Sequence, residues 1–160
     1  MKNLKNWDKK TWLSSPKYIS SITNFLEKRI KFNKKIKILD IGCGRGKIIS
    51  TLSRKYQMIN LPLGIDIVEH KDIAIKIRFT KTTALRYLSK TKEKFDVILF
   101  KQSIHFFKVL EIKKILKFSK KNLINNGKII IFALDPKKIH WPLFKIFKSR
   151  LRKSLKKDEV

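Results

Sequence analysis

Residues 40–46 read Asp-Ile-Gly-Cys-Gly-Arg-Gly and hold three of the five glycines in this 160-residue chain. The segment follows an apolar run. That is the pattern of a turn from strand to helix, where missing Cβ atoms let the backbone approach a ligand. Asp40 stands two residues before Gly42, where a carboxylate would repel a pyrophosphate and attract a cationic ammonium group. A dinucleotide site wants G-x-G-x-x-G, which places the third glycine at position 47. Position 47 is lysine, and the spacing present is G-x-G-x-G. Asp66, within the stretch GIDI at residues 64–67, offers two further acceptor oxygens near the end of a predicted strand. Taken singly, the glycines could serve only a tight turn and Asp66 only a helix cap; together they favour a ligand. His105 is the best candidate for proton chemistry, with a histidine hydrogen-bonded under a loop as the alternative. His70 and His140 are isolated, and no cluster has metal-ligand spacing, so no metal is expected.

Alternating strands and helices are needed to bring these residues together. Residues 16–32 carry apolar side chains at helical spacing after Ser14 and Ser15, with Pro16 in the first turn. Residues 36–41 read as a buried strand, followed by the glycine turn and a helix to about Tyr56. Further strands are predicted over 59–68, 73–79 and 95–100, with a short helix near 85–88 and an amphipathic helix over 109–123. Asn125-Asn126-Gly127 reads as a turn into a fifth strand, 128–134. The predicted fold class is α/β: a Rossmann-like, doubly wound parallel sheet of about five strands with helices on both faces. In such sheets ligands bind at the carboxyl ends of the strands, and the glycine turn, Asp66 and residues 101–105 all fall there.

Composition bounds the alternatives. The formal charge of +28 resembles that of a nucleic-acid binder, yet only seven of the 40 basic residues are arginine. Abundant Lys, Ile and Asn is also what an AT-rich genome writes, so a nucleic-acid partner is open but not favoured. Cys43 is the sole cysteine, which excludes an internal disulfide and suggests a reducing compartment. No signal-peptide or membrane-spanning run is apparent, and a cytoplasmic location is expected.

Residues 40–46 resemble the first motif of class I S-adenosylmethionine-dependent methyltransferases. Residues 64–67 (GIDI), 95–107 (FDVILFKQSIHFF) and 123–133 (LINNGKIIIFA) are similar to that family's second-, fourth- and fifth-strand segments. The last two look most like members acting on small molecules. The resemblance implies S-adenosyl-L-methionine as cofactor. Its ammonium would meet Asp40, its ribose hydroxyls Asp66, and its methionine part the backbone of Gly42, Cys43, Gly44 and Gly46. It further implies cofactor contacts from Ile67, Lys101 and Thr83, with Thr83 or its neighbour Thr82 standing in for an acid often found near the adenine. Lys101-Gln102-Ser103-Ile104 lacks the prolines of methylases acting on exocyclic amino groups of nucleic acids. The region also lacks the nucleophilic cysteine of cytosine-C5 methylases. A small-molecule acceptor is therefore expected. An RNA or ribosome-associated methyltransferase and a catalytically degenerate cofactor-binding module are the alternatives.

The chain reads as a single methyltransferase-like domain over 1–160: a lead-in (1–15), a cofactor-binding core (16–134) and a basic C-terminal helix (135–160). Trp7 and Trp12 in the lead-in could fold over a ligand or pack on the first helix. The family's last two strands, usually an antiparallel hairpin, are not found in the sequence, which suggests a C-terminally truncated member. Leu143, Phe147, Leu151 and Leu155 form an apolar stripe that would pack on the sheet, touch an anionic membrane surface or meet a partner.

Overall fold

The computed structural model describes residues 15–133. Helix α1 (Pro16–Glu27) starts where the sequence predicts, with Ser15 Oγ accepting from Tyr18 N at 3.2 Å and Pro16 in the first turn. It stops at Glu27 because the amides of Arg29 and Ile30 both close on the Leu26 carbonyl, which ends the helical ladder. Strand β1 (Ile38–Ile41) is buried along its whole length and leads through the glycine turn into α2 (Lys47–Lys55). Strand β2 (Leu63–Asp66) is shorter than the apolar run around it: Pro62 precedes it, and Ile59 and Ile67 lie outside it and are exposed.

Strand β3 (Arg78–Lys81) falls later than the predicted 73–79. Most of that predicted stretch is a loop tied to the glycine turn and α2. Ala74 N donates to the Arg45 carbonyl at 2.9 Å, and Ser50 Oγ to the Ile75 carbonyl at 2.7 Å. Lys76 then turns at φ 62°. Helix α3 (Ala84–Lys90), β4 (Phe95–Lys101), a short 3₁₀ turn (Ile104–Phe106), α4 (Val109–Lys121) and β5 (Leu123–Phe132) complete the described chain. The predicted turn at 125–127 lies inside β5. Leu123 pairs with Phe95, the chain bulges with Asn126 at φ 65°, and pairing resumes between Lys128 and Val97.

The sheet is five-stranded and wholly parallel, in the order β3-β2-β1-β4-β5. Strand alternation divides the core. Ile38, Val97 and Leu99 pack with α1 and α2 on one face, while Leu39, Ile41, Ile65, Ile98 and Phe100 pack with α3 and α4 on the other. Strand order reverses between β1 and β4, so the chain leaving their carboxyl ends runs to α2 on one face and α4 on the other and leaves a crevice between. Trp7, Trp12, His140 and the predicted C-terminal basic helix lie outside the described residues.

Candidate cofactor site

The glycine turn is shaped by its neighbours. Gly42, Gly44 and Gly46 have φ of 72°, 57° and 68°, a left-handed region that disfavours any side chain. Gly42 is further constrained, because a Cβ there would lie 2.5 Å from Ser103 Cβ. Ser103 Oγ donates to the Ile41 carbonyl at 2.6 Å and stitches the end of β4 to the end of β1. On the opposite side the amides of Gly42 and Cys43 both donate to the Ile65 carbonyl. The turn is therefore pinned from both neighbouring strands.

Asp66 closes this arrangement. Its Oδ2 accepts from Gly44 N at 2.8 Å and its Oδ1 from Val68 N at 3.0 Å. Each carboxylate oxygen keeps a further acceptor site for a ligand hydroxyl. Asp40 differs in every respect. It is 0% exposed, and neither carboxylate oxygen has a hydrogen-bond partner among the described residues. Burial pushes its carboxyl up to about 7, against the pull of Lys101 and with a push from Asp66. A buried carboxylate with no donor is costly unless a cation or donor reaches it.

A cavity of about 410 Å³ opens over the turn, within the roughly 300–1,000 Å³ usual for ligand pockets. Of the residues expected to bind a cofactor, Gly42, Cys43, Gly44, Asp66, Ile67, Thr83 and Lys101 line it. Asp40 and Gly46 do not: Asp40 is buried on β1, where its alternation with Ile38 turns it toward the α1/α2 side of the sheet. His105 does not line the cavity either. The residue is exposed, its ring rests against Phe106 at 4.4 Å between centroids, and partial burial lowers its pKa. The geometry thus does not bring the expected base to the cavity, because the 3₁₀ turn presents Phe106 and Phe107 there instead. Thr83 caps α3, its Oγ1 accepting from Arg86 N at 3.2 Å, so part of its acceptor capacity is already used. Burial and the nearby Asp40 and Asp66 push the Cys43 thiol well up, which leaves it unsuited to act as a nucleophile.

Gln102, with Lys101 a candidate pocket residue after the fourth strand, lines the cavity, and so does Arg45, which has no sequence signal of its role. Gln102 is buried at φ 57°, a conformation rarely adopted by non-glycine residues. Arg45 is buried and its Nε pairs with Asp72 Oδ1 at 2.7 Å, anchoring the loop before β3 to the glycine turn. Gln102 and Ser103 fall in the 101–105 stretch expected at the strand ends, but the left-handed backbone that positions them is not visible in sequence. Among the described residues no His/Cys/Asp/Glu group could hold a metal ion.

Comparison with known proteins agrees with this architecture. A family model described as a methyltransferase domain matches residues 12–142. No curated protein is a significant match in sequence. Among solved structures, a SAM-dependent methyltransferase from Archaeoglobus fulgidus is similar at TM-score 0.62 and 22% identity, with 74% of this chain and 54% of that one covered. One from Thiobacillus denitrificans in complex with S-adenosyl-L-homocysteine gives 0.58 and 17%, covering 81% and 53%. Magnesium protoporphyrin IX methyltransferase from Synechocystis with bound SAM gives 0.55 and 15%, covering 75% and 59%. At these identities the likeness is one of fold, and this chain spans little more than half the length of those structures. The parallel sheet, the pinned glycine turn and the family match over 131 residues (12 to 142 inclusive) lead to one conclusion: the chain belongs to the methyltransferase domain family.

Proposed function

We propose that this chain binds S-adenosyl-L-methionine and transfers its methyl group to a small-molecule acceptor. The observation that carries the proposal is the pair of carboxylates set around a left-handed glycine turn at the crevice of a parallel sheet. Asp66, which lines the cavity with acceptor sites to spare, suits a vicinal diol; Asp40, buried beneath the turn with no donor among the described residues, would act on an ammonium group through a bridging water. Those are the two polar ends of this cofactor. The glycine spacing and the adjacent acid both disfavour a dinucleotide pyrophosphate. Ile67, exposed at the end of β2, supplies an apolar surface for the adenine, and Lys101 supplies a cation for the methionine carboxylate.

The bound cofactor supplies a methyl group on a cationic sulfur, ready for in-line displacement. The chain's own contribution is positioning: a rigid turn, two placed carboxylates and an apolar wall from Phe106, Phe107 and Ile115 that excludes water. No proton transfer is assigned to His105, since it lies outside the cavity lining. The three segments, lead-in, core and basic tail, act as one methyltransferase-like unit, and the single buried Cys43 favours a reducing, cytoplasmic setting.

A second reading, transfer to RNA, is favoured by the charge of +28 alone. Incubation with methyl-labelled cofactor and fractionated cell extract separates the readings. Label in a small-molecule fraction is expected. Label in RNA establishes the second reading, and binding without transfer to any fraction identifies a degenerate module.

A further inference from the structure

Helix α4 begins beside the cavity mouth and has an outward face of unusual composition. The preceding 3₁₀ turn places Phe106 both in the cavity wall and 37% exposed, and Val109 and Leu110 follow at 71% and 73% exposed. Beyond them the same face carries exposed Lys113, Lys114, Lys117, Lys120 and Lys121. At 100° per residue these positions and Val109 and Leu110 fall within one side of the helix. The helix has one acid, Glu111, which turns away: its Oε2 accepts from Lys108 N at 3.0 Å and it lines the cavity. The outward side is thus apolar at the mouth and cationic along its length, and no acid of α4 lies on it.

We infer that this face of α4 docks on an anionic lipid bilayer, with Val109, Leu110 and Phe106 entering the interface and the lysines on the headgroups. Exposed aliphatic side chains beside a lysine row distinguish a bilayer from a nucleic-acid partner. A phosphate backbone gives lysines their counter-charge but gives two exposed aliphatic residues nothing apolar to enter. Docking in this way sets the cavity mouth at the membrane surface, so the acceptor class becomes an amphipathic molecule dissolved in the bilayer. That last step rests on the methyl-transfer reading; the docking itself does not.

The test is flotation of the full chain with phosphatidylcholine vesicles with and without phosphatidylglycerol, at low and high salt. Binding is expected only with the anionic lipid and is expected to weaken with salt. Each lysine near the surface is worth roughly fivefold in partitioning, so Lys113→Gln/Lys117→Gln is expected to weaken binding roughly 25-fold. Val109→Ser/Leu110→Ser is expected to weaken it even at low salt. Vesicle binding that neither double variant changes would place the contact on another basic segment and overturn the inference. So would tight binding to a single-stranded RNA oligonucleotide with no binding to vesicles. Circular dichroism spectra and cofactor titration of the same variants report folding and the cavity separately, so loss of docking is not confused with loss of the cofactor reading.

Discussion

Asp40→Asn replaces the buried carboxyl with a neutral group of nearly the same shape, and its consequence for stability has a definite sign. In the fold the carboxyl titrates at about 7 instead of its ordinary 3.8, chiefly because burial penalises the charged form. The folded state therefore holds this proton more tightly than the unfolded chain does. Stability from this residue is fully present below the unfolded value near 4, declines as pH rises toward 7, and is gone above it. A difference of about three pKa units at 1.36 kcal/mol each gives about 4 kcal/mol as an upper figure. Leaving the asparagine amide buried without partners returns about 1–3 kcal/mol of that. Urea denaturation followed by circular dichroism, across about pH 4 to 8, measures both proteins. The wild type is expected to lose stability relative to Asp40→Asn as pH rises, with the gap levelling off near pH 7. Parallel stability curves for the two proteins would refute this description of Asp40.

Three further outcomes follow from the same geometry. Attracting a cofactor ammonium from beneath the turn requires Asp40 to be ionised, so affinity for S-adenosylmethionine is expected to fall by up to about tenfold per pH unit below pH 7 and to level off above it, as calorimetry would show. Gly42→Ala is expected to destabilise by about 1–3 kcal/mol through its φ of 72° and the Cβ contact with Ser103, and adding Ser103→Gly is expected to relieve only the contact. Ser103→Ala, which leaves the Ile41 carbonyl without its donor, is expected to cost about 1–3 kcal/mol in urea denaturation.

Much of this was legible in residue order because period and punctuation agree over most of the chain. Apart from Asp40, Asp96 and the terminal Lys101, β1 and β4 are apolar because both lie inside the sheet, and a buried parallel strand leaves that mark. Strand β3 leaves none: Arg78, Phe79, Thr80 and Lys81 form an edge strand with little burial, so the more apolar stretch before it draws the prediction. That stretch is a loop because Arg45 and Ser50 hold its backbone and Asp72, which are contacts between residues about 25 apart. That Gly42, Gly44 and Asp66 line the cavity was readable because a glycine turn and an acid at strand ends are local patterns. That His105 lies outside the cavity lining depends on how a three-residue 3₁₀ turn rotates the chain, a detail that residue spacing does not encode. That the Asp40 carboxylate finds no hydrogen-bond partner among the described residues could not be read from residue order, since it depends on what packs over β1.

The most direct measurement is calorimetric titration of the purified chain with S-adenosylmethionine, with NADH in parallel and Asp66→Ala as control. Micromolar binding of S-adenosylmethionine that is lost in Asp66→Ala, with none for NADH, is the predicted result. A folded protein that ignores S-adenosylmethionine, or one that binds it equally well without the Asp66 carboxylate, would contradict the proposed cofactor site.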